Sequence, residues 1–266
     1  WPLVFVANVG EEGEGNLSGM RYLCHHSDLK GKVGCFLVLD GPAADRLTCQ
    51  ALASRRFEIT FHGPGGHSWS DQGVANPVHA LSRAVALFVD KHANGRRDRR
   101  SSFNFGTIEG GLSVNSIPNS ARAKLDLRSE VPERLDDMTA ELGEAVDQAR
   151  DLENQHAAGG KVSARVREIG SRPGGSLAAD APILRHLLAV DEHLGIRSQP
   201  DCASTDANVP LSMGIPAVSI GAGGHGGGAH TPAEWYHPEG RELGLRRILL
   251  ALCLLLQDPA SPRPSA

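Results

Sequence analysis

Hydrophobic periodicity changes twice along this chain of 266 residues, and each change marks a passage between two kinds of sheet. Near the start, Pro2-Leu3-Val4-Phe5-Val6-Ala7 and Cys35-Phe36-Leu37-Val38-Leu39 are wholly apolar runs. A helical pattern with Leu17, Met20 and Leu23 on one side separates them. Strands apolar on both sides belong in a sheet covered on both faces, which is the α/β arrangement. From about Arg55 the pattern alternates, with Phe57, Ile59 and Phe61 against Glu58, Thr60 and His62, as in a strand with one wet face. A helix opening at Pro77 follows, then strands over 102–108 and 121–128, a helix carrying Leu135 to Leu152, and a strand through Val162, Ala164 and Val166. Strand, helix, strand, strand, helix, strand is the order of a ferredoxin-like α+β sandwich. After Arg172-Pro173-Gly174-Gly175 the first pattern returns, with a helix around Ile183–Leu188, an apolar strand at 215–220, a glycine-rich loop and a last helix over 241–256.

The two changes predict a discontinuous α/β domain over 1–53 and 170–257, an inserted α+β domain over 54–169, and a disordered tail over 258–266. The chain opens on Trp1 and enters an apolar strand at once, so a segment upstream is expected to be missing.

A net charge of −4 with 22% charged residues gives no electrostatic reason to seek nucleic acid. The basic run Arg96-Arg97-Asp98-Arg99-Arg100 lacks interleaved aromatics and reads as a solvated connector. The most apolar stretch, Ile248 to Leu256, is far shorter than the roughly 20 residues a membrane helix needs, and no signal peptide is expected from the opening residues. Five cysteines without a C-x-x-C pair suggest reduced thiols and a cytoplasmic setting.

Three places carry candidate chemistry. In Val9-Gly10-Glu11-Glu12-Gly13, two carboxylates sit beyond an apolar run, where open α/β sheets place their sites. One of an adjacent pair can bind a metal while the other serves as a base; the plainer reading is that both favour the next helix dipole. Asp40 ends the second apolar run before Gly41-Pro42, and is either a ligand or an ordinary turn residue. His230, in Gly228-Ala229-His230-Thr231-Pro232, lies beyond the glycine loop, as a ligand or a surface histidine. Carboxylate oxygen with imidazole nitrogen suits zinc, with cobalt or manganese also acceptable. Gly221-Ala222-Gly223-Gly224-His225-Gly226 satisfies the dinucleotide-binding spacing, but Gly227, Gly228 and Pro232 follow where a helix should open, so an oxidoreductase reading is set aside. His67, in Gly65-Gly66-His67-Ser68, and Asn115, in Ser113-Val114-Asn115-Ser116, lie in loops of the inserted domain.

The order of these motifs is more specific than any one of them. Gly10-Glu11-Glu12-Gly13, Leu39-Asp40-Gly41-Pro42, Gly63-Pro64-Gly65-Gly66-His67-Ser68, Gly110-Gly111-Leu112-Ser113-Val114-Asn115-Ser116-Ile117-Pro118, Asp126-Leu127-Arg128, Ser204-Thr205-Asp206-Ala207-Asn208 and Ala229-His230-Thr231 resemble the dinuclear zinc peptidase family. Aminoacylase, acetylornithine deacetylase, succinyl-diaminopimelate desuccinylase, carboxypeptidase G and peptidase T belong to it, and the glycine loop with His230, Glu234 and Trp235 looks most like peptidase T.

The resemblance implies a phosphorylase/hydrolase-like zinc-peptidase domain interrupted by a ferredoxin-like lid and dimerisation domain. It implies a metallopeptidase (a di- or tripeptidase, an aminopeptidase) or an N-acyl amino acid deacylase, holding two zinc ions and working as a homodimer through the lid. Glu11 would be the general acid/base; Glu12 and His230 would hold one zinc and Asp40 the other. His67 would be the lid histidine that steadies the oxyanion in a neighbouring site, and Asn115 and Arg172 would hold substrate, with Arg172 suited to a carboxylate. Arg128 is equally well explained as structural. Family members also carry an upstream His-x-Asp motif and a bridging aspartate that do not occur here, so this chain by itself is expected to be weakly metallated and nearly inactive. The rival within the resemblance is a catalytically degenerate member kept for dimerisation or ligand binding.

Overall fold

The computed structural model describes residues 2–93 and 100–258; Arg96 to Arg99 of the basic run, and 259–266 of the tail, lie outside these. The fold is mixed α/β in two compact units, Trp1–Ala53 with Arg172–Ala266, and Ser54–Ser171.

The first unit opens with a segment that departs from expectation. Residues 2–9 form no strand, and Leu3, Val4, Phe5 and Val9 are exposed, Phe5 by 83%. An apolar run becomes a strand only where a neighbour accepts its ladder, and among the described residues no strand pairs with it. A backbone link ties it to the next helix, Gly19 N–H donating to Val9 O at 3.1 Å. Helix α1 (Ser18–His25) follows, then strands β1 (Phe36–Leu39) and β2 (Arg46–Ala51).

The second unit holds β3 (Ala53–His62), β4 (Gly66–His67), α2 (Pro77–Ala93), β5 (Ser101–Gly110), β6 (Ser116–Ile117), β7 (Ser120–Ser129), α3 (Pro132–His156) and β8 (Ser163–Arg172). Its main sheet runs β5-β7-β3-β8, and β4 pairs with β6. The alternation read from sequence is the burial pattern: Phe57, Ile59 and Phe61 are buried, as are Ala121, Ala123, Leu125 and Leu127. Against that face lie Leu81, Ala84 and Phe88 of α2 and Leu135, Met138, Leu142 and Ala149 of α3. Phe88 meets Phe103 edge-on at 5.3 Å and Phe105 at 5.9 Å, the geometry aromatic quadrupoles favour.

The chain then returns to the first unit with β9 (Gly175–Ser176), α4 (Pro182–Leu194), β10 (Gln199–Ala203), α5 (Asn208–Ser212), β11 (Ala217–Ile220), β12 (His225–Gly227), β13 (Trp235–His237) and α6 (Arg241–Gln257). Strand order is β1-β11-β2-β10, with β9 on β2. β1 runs parallel to β11, β2 parallel to β10, and β11 antiparallel to β2, so the sheet is mixed. Ile183, Leu184 and Leu187 of α4 and Ala251 and Leu255 of α6 pack on Leu47, Val218 and Ile220. Leu17, Met20 and Cys24 join Val209, with Phe36 and Val38 beside them. Helices on both faces explain why β11 is buried at all four residues and carries no alternation.

Candidate active site

In the first unit, Glu11 and Glu12 sit on a turn that only glycine can make. Gly10 has φ +75°, and a Cβ there would lie 2.1 Å from Ser18 Oγ; Gly13 has φ +57°. Glu12 caps a short 3-10 turn (Gly13–Gly15) and its carbonyl accepts from Gly15 N–H at 3.0 Å. The two side chains part company, Glu11 being 24% exposed and Glu12 76%.

Glu11 is held by Arg172, which is itself buried. Arg172 Nη1 donates to Glu11 Oε1 at 2.8 Å and to Ser204 Oγ at 3.1 Å, while Nη2 donates to the Glu11 backbone oxygen. Burial pushes the Glu11 carboxyl above the ordinary range; Arg172 opposes this, and the Asp40 and Glu12 charges reinforce it. Asp40 ends β1, its N–H donating to Ile220 O at 2.9 Å, which sets it at the carboxyl edge of the sheet. Burial raises its carboxyl too, with Arg46 opposing and Glu12 reinforcing, while Arg172 and His230 also oppose. His230 takes a left-handed backbone (φ +63°), uncommon for a residue with a side chain and concentrated at functional positions. Its Nδ1 lies 3.8 Å from Glu12 Oε2, both side chains being exposed.

Glu11, Glu12, Asp40 and His230, scattered over 220 positions of sequence, thus fall within one another's electric field. Carboxylate oxygens with one imidazole are the donors a divalent cation such as zinc takes, and Glu12 with His230 stands near enough to share one. Among the described residues no three acidic, histidine or cysteine side chains close around one point.

Sequence reasoning quoted Asp206 within a motif and gave it no role. It is 7% exposed, accepts from Asn8 Nδ2 at 2.5 Å through Oδ2, and leaves Oδ1 buried without a partner. Burial raises its carboxyl; the Asn8 bond opposes, and the Asp40 charge reinforces. Its loop is braced locally: Thr205 N–H donates to Asn208 Oδ1 at 2.9 Å, and Asn208 Nδ2 donates to Leu52 O and Pro173 O at 2.9 and 3.0 Å. Arg172, expected to hold substrate, has Glu11 and Ser204 as side-chain partners. A cavity of about 710 Å³ opens beside these residues, bordered by Gly41 and Pro42 next to Asp40 and by Ala229 next to His230.

In the second unit, His67 and Asn115 come together by themselves. β4 pairs His67 with Ser116, and Ser68 N–H donates to Asn115 O at 3.0 Å. His67 Nδ1 accepts from Trp69 N–H at 3.2 Å, which assigns the neutral ring's proton to Nε2. Arg128 donates to Asp126 at 2.6 Å, and Asp126 also accepts from Arg56.

Residues 53–151 match the peptidase dimerisation domain of M20 type. In sequence, the chain is 24% identical over 224 residues to the uncharacterized protein YqjE of Bacillus subtilis, covering 82% of this chain and 56% of that protein. It is 28% identical over 142 residues to a peptidase M20 domain-containing protein of Schizosaccharomyces pombe, covering 53% and 34%. In structure, it resembles a tripeptidase of Staphylococcus aureus (TM-score 0.73, 19% identity, 92% of this chain and 61% of that one). It also resembles the aminopeptidase PepT of Bacillus cereus (0.70, 20%, 94% and 63%) and an amidase of the hydantoinase/carbamoylase family from Burkholderia vietnamiensis (0.66, 17%, 88% and 56%). These structural likenesses bear on the fold, and the chain spans less than two thirds of the length of each protein named.

Proposed function

We propose that the chain, whose residues 53–151 match the M20 peptidase dimerisation domain, forms the greater part of a metal-dependent hydrolase of peptide or amide bonds. The observation that supports this most directly is the gathering of Glu11, Glu12, Asp40 and His230 in the first unit, with the half-buried Glu11 and Asp40 carboxyls pushed upward. Glu12 and His230 would hold one zinc ion and Asp40 contribute to a second, with the upstream His-x-Asp segment expected from the resemblance completing the pair. When bound, zinc lowers the pKa of water to about 7 and polarises a carbonyl.

Glu11 takes the proton of the attacking water and passes it to the departing amine nitrogen. Burial moves its carboxyl upward, the direction that favours taking up a proton before passing it on. Arg172 and Ser204 fix where that carboxylate points. His67 and Asn115, gathered on one edge of the second unit, are the residues for oxyanion and substrate contacts. A homodimer through the edge of the β5-β7-β3-β8 sheet accords with the matched dimerisation domain. Five free thiols support a reducing, cytoplasmic setting, and no helix among the described residues is long and apolar enough to cross a membrane.

Metal analysis, with a cleavage screen of di- and tripeptides and N-acyl amino acids, tests the reading on the chain with its upstream segment restored. Glu11→Gln is expected to abolish turnover while leaving metal content intact. A Glu11→Gln protein that still turns over refutes the assignment of the base, and a protein that takes up no divalent metal refutes the whole reading.

A further inference from the structure

The cavity beside Asp40 and His230 has two kinds of wall. One is bare backbone. A Cβ added to Gly226 would lie 2.7 Å from Pro42 Cγ, one on Gly227 would lie 3.0 Å from Trp235 Nε1, and one on Gly223 (φ +88°) would lie 2.8 Å from Arg241 O. The glycine run that imitates a dinucleotide motif is therefore explained by close approach: it lets the β12–β13 hairpin press against Pro42 and keeps the space in front of it open.

The other wall is chemically pointed. Trp235 and Tyr236 are about half exposed, and Tyr236 Oη is tethered to Gly223 O at 3.3 Å, so the hairpin presents a fixed aromatic surface. Two arginines, Arg46 and Arg241, line the same space with one acidic residue, Glu234. Arg46 lies over Gly41, where an added Cβ would meet its Nη1 at 2.5 Å, and its charge reaches Asp40. Among the described residues, no ion pair occupies either guanidinium. A cationic recess with a flat aromatic side, opening next to a carboxylate cluster, is built to orient a ligand that carries a negative group on a short body.

We propose that this cavity is a substrate subsite for a carboxylate-bearing group, which Arg46 and Arg241 hold against the aromatic wall of Trp235. The assignment of the ligand as substrate rests on the hydrolase reading above; the assignment of its chemistry rests on the cavity alone. It narrows the substrate class to peptides or acyl amino acids with an acidic side group next to the scissile bond.

The probe is glutarate, with the neutral glutaramide as its control, titrated into the protein in excess EDTA so that metal ligation makes no contribution. Calorimetry and tryptophan fluorescence follow binding. Glutarate is expected to bind at least about 10-fold more tightly than glutaramide, and Arg241→Met to weaken glutarate by roughly 10- to 100-fold, the worth of a charge-assisted hydrogen bond. Trp235→Phe should remove most of the fluorescence change while the calorimetric signal persists. Arg46→Met provides a second route to the same loss, and circular dichroism identifies any variant that fails to fold. Equal binding of glutarate and glutaramide overturns the proposal, as does an Arg241→Met protein, folded, that binds glutarate like the parent. Peptide cleavage by a protein that binds glutarate no better than glutaramide leaves the hydrolase standing and removes this subsite; glutarate binding by a protein that takes up no metal even with its upstream segment restored does the reverse.

Discussion

Arg247 is fully buried in the middle of α6, and removing it would strand a buried carboxylate. Its Nε and Nη2 donate to Asp191 Oδ1 and Oδ2 at 2.6 Å each, and Nη1 donates to Arg46 O at 2.7 Å, where β2 begins. Asp191, on α4 and 3% exposed, has as its other partner Ser198 Oγ at 2.5 Å. In Arg247→Met a carboxylate remains buried with its cation gone, which costs about 3–5 kcal/mol. Counting bonds gives a similar figure, since two charge-assisted bonds contribute roughly 1.5–3 kcal/mol each. For a unit of this size each kcal/mol moves the melting point by about 2–4 °C, so the transition should fall by roughly 6–20 °C. Scanning calorimetry reads it directly, and the second unit provides an internal control because Asp191 and Arg247 both lie in the first. The double variant Asp191→Leu with Arg247→Met should recover most of the loss, because the desolvation of both charges goes with them. A single variant that melts within about 2 °C of the parent would refute the reasoning.

Two further outcomes follow from titratable groups away from the candidate site. Burial, reinforced by the Asp206 charge, pushes the Cys24 thiol up to about 11, so at pH 8 only about one molecule in a thousand carries the thiolate that alkylates. Iodoacetamide mapping should therefore modify the exposed Cys253 long before Cys24, and comparable rates would contradict the burial. His92 packs on Phe88 at 4.3 Å and Phe103 at 5.2 Å, and desolvation lowers its pKa below 6.5 despite Glu141 nearby. The unfolded chain thus takes the proton first as pH falls, so stability from this site is present above pH 6.5 and lost on acidification toward the folded value. Urea melts at pH 7.5 and 5 should show a larger acid loss for the parent than for His92→Phe; equal losses would exclude His92 as a cause.

How far the fold was legible depended on whether burial left a period behind. The alternation at Phe57–Phe61 and Ala121–Leu127 and the apolar runs at Phe36–Leu39 and Ala217–Ile220 became strands because each has one stable relation to a core. β2 was missed for the opposite reason. It lies inside a covered sheet, so Thr48 is as buried as Leu47 and no alternation survives to be read. β10 opens Gln199-Pro200 and is recognisable only from its partner β2. Residues 2–9 were over-read because composition reports what a strand would bury and says nothing about what it pairs with. In the site, residue types and order pointed to Glu11, Glu12, Asp40 and His230, but the roles of Arg172 and Asp206 depend on partners 161 and 198 positions away. No local pattern carries such a pairing.

The electrostatics of the first unit bind these observations into one arrangement. Glu11, Asp40 and Asp206 are all pushed upward chiefly by burial, and Asp40 acts on both of the others. Arg172 acts on all three in the opposite sense, and Arg46 adds to it at Asp40. With Glu12 included, four carboxylates face two guanidiniums, and one of the carboxylate oxygens, Asp206 Oδ1, is buried with no donor at all. Such a recess is a net cost to folding, of the kind retained where function demands it. A divalent cation would offset that cost by supplying the missing positive charge. The neighbouring cavity has the reverse imbalance, two arginines lining it with Glu234, and Arg46 is common to both. On the proposed reading, one recess polarises the carbonyl to be cleaved while the other captures an anion attached to it, so two adjoining sites of opposite sign would fix both the position and the direction of the substrate.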